Sequence, residues 1–234
     1  MQEITNQQKV AFFDVDGTIF RSSLLIALVT SLIDEGIFPP EAKKQYRDQY
    51  IAWSNRDGSY EAYIAGVVQA FKTHIKGVHY GELADVGKQV VAGHGKQVYR
   101  YTRDLIEELR DAGYYVVAIS HSPKTILDEF CTQYGFDKVY GRIYEIGPQD
   151  RFTGATTDEH LIENKSSIAN RVRQQAGIDF ADSVAVGDTE SDIPLLELVS
   201  NPICFNPNQV LYQHAKRRGW KVVVERKDVI YTLS

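Results

Sequence analysis

Several features that define protein classes are scarce or missing in this sequence. It contains only two cysteines, Cys131 and Cys204, and no Cys-x-x-Cys pair. This content suggests neither a disulfide framework nor a zinc site, so we expect both thiols to be buried as small apolar side chains. The longest nearly apolar stretch, residues 24–33, has ten residues, which is too short to span a bilayer.

An excess of positive charge is also missing. The 26 Lys and Arg residues are outnumbered by 31 Asp and Glu residues, and the net charge is −5, which offers no electrostatic surface for nucleic acid. The first nine residues lack the basic start and apolar run of a signal peptide. We therefore expect a cytoplasmic protein that acts on a small molecule, without a membrane span, and no feature indicates a protein partner.

The rest of the composition is that of an ordinary globular protein. Hydrophobic residues make up 43% and charged residues 24% of the 234 positions, which excludes a disordered, collagen-like or coiled-coil chain. At about 150 residues per domain, this length predicts between one and two domains.

Strands and helices alternate along most of the chain. Strands are predicted at residues 9–13, 115–119, 183–186, 202–205 and 220–224, with a hairpin around 139–153. Helices are predicted from 98 to 112, from Ser122-Pro123 onward, and at 164–176, 191–199 and 208–218. This alternation predicts a doubly wound, Rossmann-like α/β fold with a parallel sheet.

One block interrupts the alternation after the first strand. Leu24, Leu28 and Leu32 recur at four-residue spacing, and three further helical patterns lie within residues 40–56, 59–75 and 79–92. We expect this all-helical block to be an inserted cap over the carboxyl edge of the sheet. The predicted division is an α/β core of residues 1–20 and 97–234 and a helical cap of residues 21–96.

Polar residues follow three of the predicted strands. Asp14 and Asp16 follow the first, Ser120 follows the second, and Asp188 and Asp192 follow the third. Ligands of doubly wound sheets lie outside the carboxyl ends of the strands, and converging carboxylates would repel one another unless a cation held them. Mg²⁺ suits such oxygen ligands and bridges to phosphate. The alternative is that each aspartate caps a separate helix and that Ser120 is also a cap.

Three of the charged residues have the chemistry of phosphoryl transfer. Asp14 can attack phosphorus and form an aspartyl-phosphate. Asp16 can protonate the leaving oxygen and later activate water. Lys165, at the start of a predicted helix, can offset the charge that develops in the transition state; the alternative for Lys165 is a solvated lysine.

Four neighbouring residues are candidates for binding the phosphate group. The loop of Gly17 and Thr18 brings the backbone close to the phosphate and supplies N–H donors. Ser120 and the amide of His121 can bind phosphate oxygens at a helix N-terminus. These residues predict a phosphate site beside the metal.

Four segments, in the same order, carry a resemblance to a known family. They are Phe12-Phe-Asp-Val-Asp-Gly-Thr18, Ile119-Ser120, Lys165 and Gly187-Asp-Thr-Glu-Ser-Asp192. The set resembles the four motifs of the haloacid dehalogenase superfamily of aspartate-nucleophile phosphohydrolases. The helical insert resembles the type I cap of the phosphoserine phosphatase-like branch, and the resemblance covers nearly the whole chain.

The resemblance implies a role for each matching residue. Asp14 would be the nucleophile and a Mg²⁺ ligand, Asp16 the acid/base with its backbone carbonyl on the metal, and Asp188 the third protein ligand of the metal. The residues implied to bind the phosphate or to support the site are Ser120, Lys165 and Asp192. The dehalogenases of the superfamily lack the second aspartate, so a phosphate ester is the better substrate.

The predicted function is therefore Mg²⁺-dependent hydrolysis of a small phosphorylated metabolite through an aspartyl-phosphate. A phosphotransferase or mutase shares this intermediate and stays open as an alternative. A non-catalytic phosphate-binding module is the second alternative, although such a module would have no use for Asp16.

Phosphoserine is not expected to be the main substrate. Ser120 is followed by His121-Ser122-Pro123, where phosphoserine phosphatases commonly have Gly-Gly. Arg21 stands near the position of the acid that pairs with the substrate ammonium in those enzymes, and a buried ammonium without a carboxylate would be unfavourable. The apolar residues Leu24, Leu25 and Leu28 favour a less polar alcohol or a larger metabolite.

An aromatic stripe in the insert has two interpretations. Tyr46, Tyr50 and Trp53 lie at i, i+4 and i+7, on one face of a helix. We favour packing between helices over stacking on a ligand.

Overall fold

Strands and helices alternate through the computed structural model, which describes residues 8–157, 162, 164–176, 178 and 180–233. The strands are β1 (Val10–Asp14), β2 (Tyr115–Pro123), β3 (Lys138–Ile146), β4 (Phe152–Thr157), β5 (Val184–Gly187), β6 (Asn201–Phe205), β7 (Lys221–Arg226) and β8 (Val229–Leu233). The α-helices are α1 (Leu24–Asp34), α2 (Arg47–Ser54), α3 (Tyr60–His74), α4 (Tyr80–His94), α5 (Arg100–Asp111), α6 (Lys124–Thr132), α7 (Lys165–Ala176), α8 (Ile193–Leu196) and α9 (Gln209–Arg218).

The described strands form one sheet in the order β4-β3-β2-β1-β5-β6-β7-β8. Neighbouring strands of the inner part of the sheet pair in parallel. This part contains β3, β2, β1, β5, β6 and β7. At the two edges, β4 and β8 pair antiparallel with β3 and β7. The predicted α/β fold with a doubly wound sheet is confirmed, and β8 is an edge strand that we did not predict.

Helices cover both faces of the sheet because successive side chains of each central strand point to opposite sides. Phe13 of β1 belongs to an apolar cluster with α1 and α3 to α6, whereas Phe12 belongs to a second cluster with α7, α8 and α9. Every residue of β1 is buried, as is typical of a parallel strand between two helical layers.

The chain leaves and re-enters the sheet region at adjacent positions on either side of the helical block. The backbone N–H of Arg21 donates to Gln97 O at 2.9 Å, and that of Tyr99 donates to Ile19 O at 2.9 Å. Helices α1 and α3 begin at serine caps, Ser23 and Ser59, which satisfy free N–H groups of the first turn. The division into a core and a cap of residues 21–96 stays a prediction.

Two element boundaries were predicted wrongly. Strand β2 continues through Pro123, and α6 begins at Lys124 rather than at Ser122-Pro123. The helix predicted over residues 191–199 is a 3-10 turn, Glu190–Asp192, followed by the single turn of α8.

The aromatic stripe of the helical block packs against α3. The rings of Tyr46, Tyr50 and Trp53 all contact Tyr63, with centroids 6.0, 5.2 and 5.5 Å away. The packing interpretation is therefore confirmed.

Cys131 and Cys204 are buried free thiols, also as predicted. None of the described helices combines the length and the hydropathy that a bilayer crossing requires.

The direction of winding reverses at β1. The chain runs from β1 through β2 to β3 on one side, and β5, β6 and β7 follow on the other side. Ligands of doubly wound sheets bind outside the carboxyl ends of the strands at such a reversal point, here between β1 and β5. Asp14 ends β1 and Asp188 follows β5, so two predicted site residues flank this reversal point.

Candidate active site

A cavity of about 250 Å³ opens between this sheet edge and helices α1 and α3. Its inner wall includes six of the predicted site residues: Asp14, Asp16, Ser120, His121, Lys165 and Asp188. A larger hollow of about 680 Å³ lies at the amino ends of β6 and β7, and its lining contains none of them. The smaller cavity is therefore the candidate active site.

Lys165 joins two aspartates in a buried cluster. Its Nζ donates to Asp14 Oδ1 at 2.6 Å and to Asp192 Oδ1 at 2.5 Å. The three side chains expose 2% (Lys165), 8% (Asp14) and 0% (Asp192) of their surface. The first residue of α7 thus reaches the end of β1, and the alternative of a solvated lysine is wrong.

The charges of this cluster do not balance, because carboxylates outnumber the cation. Burial raises the pKa of Asp14 to about 7. The positive charge of Lys165 lowers this pKa, whereas the negative charges of Asp192 and Asp16 raise it further. Burial and the neighbouring Asp14 also raise the pKa of Asp188 well above its usual value. Burial would lower the pKa of Lys165, but its two aspartate partners outweigh burial and raise it. The site has an excess of negative charge that a cation would relieve.

Asp192 connects Lys165 to the loop after β5. Its Oδ2 accepts hydrogen bonds from the backbone N–H groups of Asp188 at 3.0 Å and Thr189 at 3.1 Å. A Cβ atom on Gly187 would stand 2.4 Å from Asp192 Cγ, so only glycine leaves room for this carboxylate. We did not predict Gly187 as a site residue, although its place directly before Asp188 was a signal.

The Asp16 carboxylate accepts hydrogen bonds from the start of α1 and from β2. Asp16 Oδ1 accepts from the N–H of Leu24 at 2.6 Å, and Oδ2 accepts from Ser120 Oγ at 2.5 Å and Ser122 Oγ at 2.8 Å. Ser122 was not predicted as a site residue. The Ser-x-Ser spacing along β2, which puts both hydroxyls on one face, was the available signal.

Gly17 and Thr18 do not line the cavity, contrary to their prediction as phosphate-binding residues. The N–H of Gly17 is taken by the carbonyls of Phe20 and Ser22, each at 3.0 Å. Thr18 is fully buried, and its carbonyl accepts a hydrogen bond from Thr102 Oγ1. Their backbone groups hold the loop closed instead.

Ser120 and His121 line the cavity, but no helix begins beside them. Because α6 begins at Lys124, the predicted helix N-terminus at Ser120 is wrong. The N–H of Ser122 donates to Ser120 Oγ at 2.9 Å. His121 Nε2 lies 3.0 Å from Ile162 O; a carbonyl only accepts, so this nitrogen carries the proton. Burial and the charges of Lys165 and Arg142 lower the pKa of His121 to about 4, which leaves the ring neutral.

The outer wall of the cavity comes from α1 and α3. The residues that these two helices contribute are Leu25, Tyr60, Glu61, Ile64 and Val68. Tyr60, Ile64 and Val68 recur at four-residue spacing on one face of α3. Sequence reasoning missed all four residues of α3, because nothing local showed which face of this helix meets the sheet.

The residues predicted to shape this wall behave differently from one another. Leu25 lines the cavity, whereas Leu24 and Leu28 are fully buried in the core. Arg21 is exposed and does not line the cavity; its guanidinium lies 5.6 Å from the centroid of the Tyr99 ring. The expected lack of an acid on this side is also wrong, because Glu61 is part of the wall.

Comparisons with known proteins show the family and the fold to which this chain is similar. The model of the haloacid dehalogenase-like hydrolase family matches residues 11–197. A histidinol-phosphatase of Neisseria meningitidis serogroup C is 25% identical over 225 residues, which cover 92% of this chain and 98% of that protein. The phosphoserine phosphatase SerB1 of Mycobacterium tuberculosis is 25% identical over 227 residues, which cover 91% of this chain and 69% of that protein. The solved structure of a protein of unknown function from Bordetella pertussis Tohama I matches with a TM-score of 0.70 at 20% identity. The match covers 92% of this chain and 98% of that chain.

Proposed function

The chain belongs to the haloacid dehalogenase-like hydrolase family and is a phosphoric monoester hydrolase; from this premise we propose that it hydrolyses a small phosphate monoester through an aspartyl-phosphate on Asp14. The observation that carries the proposal is the buried contact of Lys165 with Asp14 at the inner wall of the cavity. One oxygen of Asp14 is held in place while the residue faces the space where a substrate would bind.

Asp14 Oδ2 is the attacking oxygen in this mechanism, because Oδ1 accepts the hydrogen bond of Lys165. Its attack on phosphorus forms the aspartyl-phosphate and breaks the bond between phosphorus and the leaving oxygen. Lys165 then offsets part of the negative charge on the phosphoryl oxygens. Asp192 holds Lys165 from the far side, at 2.5 Å, and so keeps the ammonium in position.

Asp16 moves the proton in both half-reactions. Its carboxyl group donates a proton to the leaving alkoxide, and the resulting carboxylate takes one from the water that attacks the aspartyl-phosphate. Hydrolysis then releases inorganic phosphate and restores Asp14. The hydroxyls of Ser120 and Ser122 and the N–H of Leu24 orient the carboxyl group. We further propose that the Ser120 hydroxyl also binds a phosphate oxygen of the substrate.

Mg²⁺ fits the donor set of this site. Among the described residues, no three His, Cys, Asp or Glu side chains are grouped as metal ligands, and the Asp16 side chain accepts hydrogen bonds from two hydroxyls. The carboxylates of Asp14 and Asp188 remain, together with the backbone carbonyl of Asp16. Two carboxylates and a phosphate are a common ligand set for Mg²⁺, and the bound cation would supply the positive charge that the crowded carboxylates and the substrate phosphate need.

We keep the proposal that phosphoserine is not the main substrate, but its reason changes. Glu61 offers a carboxylate for an ammonium group. What the described wall lacks is a free cation for the carboxylate of phosphoserine. The two curated relatives carry different names, histidinol-phosphatase and phosphoserine phosphatase, and both names are compatible with the general reaction.

A substrate screen in ¹⁸O-water tests the proposal. A panel of phosphate monoesters with Mg²⁺ is expected to release inorganic phosphate that carries one solvent oxygen, and phosphoserine is expected not to rank first. A phosphate group passed to a second alcohol without solvent oxygen would identify a phosphotransferase instead. Binding of phosphate esters without turnover would indicate a non-catalytic module.

A further inference from the structure

The outer wall of the cavity carries negative charge but little positive charge. Glu61 of α3, in the outer wall, and Glu190 of the loop after β5 both line the cavity, in addition to the catalytic aspartates. Of the described lining residues, Lys165 is the only lysine or arginine. A leaving group that enters from this side therefore meets an acidic surface.

The one lining cation is not available to a leaving group. Lys165 is 3% exposed and is bound by two aspartates. His121 is neutral and uses its Nε2 proton for Ile162 O. A carboxylate on the leaving alcohol would thus lose its hydration without gaining a positive partner, which is unfavourable.

Glu61 is the acid that is free to bind a positive group. Glu190 accepts a hydrogen bond from the side chain of Asn208. Glu61 is exposed in the first turn of α3, and no side-chain hydrogen bond or ion pair of Glu61 occurs among the described residues. Among the described residues, the outer wall of the cavity therefore has an unpaired carboxylate.

Apolar and aromatic residues line the same wall as this carboxylate. Leu25, Ile64 and Val68 line the same wall, and the ring of Tyr60 is held by Trp53, with centroids 5.4 Å apart. Apolar and aromatic side chains bind an alkyl or aromatic body, and an aromatic face also attracts cations.

We propose that the enzyme selects phosphate esters of amino alcohols that have an apolar or aromatic body and no carboxylate, and that Glu61 binds the ammonium group. This inference rests on the proposed function and adds the substrate class. Glu61 acts on the leaving group only, so it is a specificity-determining residue. Its effect depends on the presence of the amine rather than on the phosphate.

Two matched pairs of substrates test the proposal with Mg²⁺ present. Phosphoethanolamine and phosphoserine differ by one carboxylate, and phenylalaninol phosphate and phenylpropyl phosphate differ by one amine. We expect kcat/KM to be at least about tenfold higher for phosphoethanolamine than for phosphoserine, and likewise for phenylalaninol phosphate than for phenylpropyl phosphate. A tenfold difference corresponds to about 1.4 kcal/mol. We also expect phenylalaninol phosphate to be a better substrate than phosphoethanolamine.

Variants connect this preference to the proposed residue. In Glu61→Gln, the ratio of kcat/KM for phenylalaninol phosphate to that for phenylpropyl phosphate is expected to fall about tenfold, mainly through KM. Glu35→Gln removes the same charge from an exposed position at the end of α1 and is expected to keep the ratio. Ile64→Ala is expected to reduce the advantage of phenylalaninol phosphate over phosphoethanolamine.

The outcomes separate this inference from the proposed function. Phosphate release that does not depend on the amine, or an unchanged ratio in Glu61→Gln, would overturn the inference alone. A preference for phosphoserine over phosphoethanolamine would do the same. No release from any of the four esters, while other phosphate monoesters of the panel are hydrolysed, would also overturn the inference alone. No release from any ester of the panel would overturn the proposed function and the inference together.

Discussion

The Asp188 carboxylate lies directly against the α-carbon of Gly17: a Cβ atom on Gly17 would stand 2.1 Å from Asp188 Oδ2. Gly17 also has a φ of +83°, a conformation that favours glycine. The loops after β1 and β5 therefore approach each other closely at Gly17, where no side chain intervenes. This contact brings Asp188 to the same cavity as Asp14.

Gly17→Ala is expected to displace Asp188 and to abolish most of the activity. The left-handed φ alone costs about 1–2 kcal/mol for a residue with a side chain, and the clash with Asp188 adds to this cost. Gly36→Ala is the matched control, because Gly36 has a φ of +73° and nothing within 4 Å of an added Cβ. Urea unfolding and kcat/KM of both variants make the comparison. Equal activity in the two variants would show that the contact has no role in the site.

Asp16→Asn is expected to lower kcat by roughly 10²–10⁴-fold for alkyl phosphates, the usual scale of general acid–base catalysis. The amide keeps the shape of the side chain but cannot donate or accept the catalytic proton. Formation of the aspartyl-phosphate should suffer much less for p-nitrophenyl phosphate, whose leaving group needs no proton. Single-turnover rates of alcohol release measure this step. Equal losses for the two substrates in this step would argue against the acid role.

Chelation of Mg²⁺ is expected to stop hydrolysis while the chain stays folded. The core contains two large apolar clusters that do not involve the proposed ligands, so folding does not depend on the cation. Activity with EDTA, its recovery on adding Mg²⁺, and far-ultraviolet circular dichroism under both conditions test this. Activity that persists in EDTA would contradict the expectation. A loss of helix content on addition of EDTA would contradict it as well.

His121 is expected to make the free energy of unfolding depend on pH. Its pKa is lowered to about 4 in the folded chain, from about 6.5 when unfolded. Between these values the unfolded chain binds more protons, so stability is complete above about pH 6.5 and falls as the pH is lowered toward 4. From about pH 7 to pH 5, the loss due to His121 is about 2 kcal/mol.

Urea unfolding of His121→Gln at both pH values measures this contribution. Glutamine keeps an N–H donor for Ile162 O but does not titrate. From about pH 7 to pH 5, the free energy of unfolding of His121→Gln should therefore fall about 2 kcal/mol less than that of the unmodified chain. His94→Gln, which removes an exposed histidine, is the control. The same pH dependence in His121→Gln and His94→Gln would show that His121 is not held neutral.

The central layer of the fold could be predicted from the sequence because its signals are local. The apolar run of residues 9–13 that ends at Asp14 predicts a buried strand, and the structure has β1 there, one residue later. Strand β8 gave a weaker signal: Val229, Tyr231 and Leu233 are exposed on an edge, so the segment lacks the continuous apolar pattern of a buried strand. The start of α6 was missed because Ser122-Pro123 is as compatible with a strand end as with a helix start.

The candidate site could be predicted most directly where its residues belong to strand ends. Asp14, Asp16 and Asp188 follow strands, and parallel strands bring their carboxyl ends to one edge. Glu61 and Tyr60 reach the cavity through the packing of α3 over that edge, which depends on tertiary contacts and leaves no local pattern. The carbonyl partners of Gly17 and the burial of Thr18 are likewise set by how the loop closes.

Transfer of the phosphoryl group to Asp14 is the central step, and chemical trapping tests it most directly. Asp16→Asn is incubated with p-nitrophenyl phosphate and Mg²⁺, so that the intermediate forms but water attacks it slowly, and borohydride then reduces any acyl phosphate to an alcohol. Peptide mass spectrometry is expected to find homoserine at position 14, only when substrate is present and never in Asp14→Asn. An unmodified Asp14 in a protein that releases nitrophenol, or reduction at a different carboxylate, would contradict the mechanism.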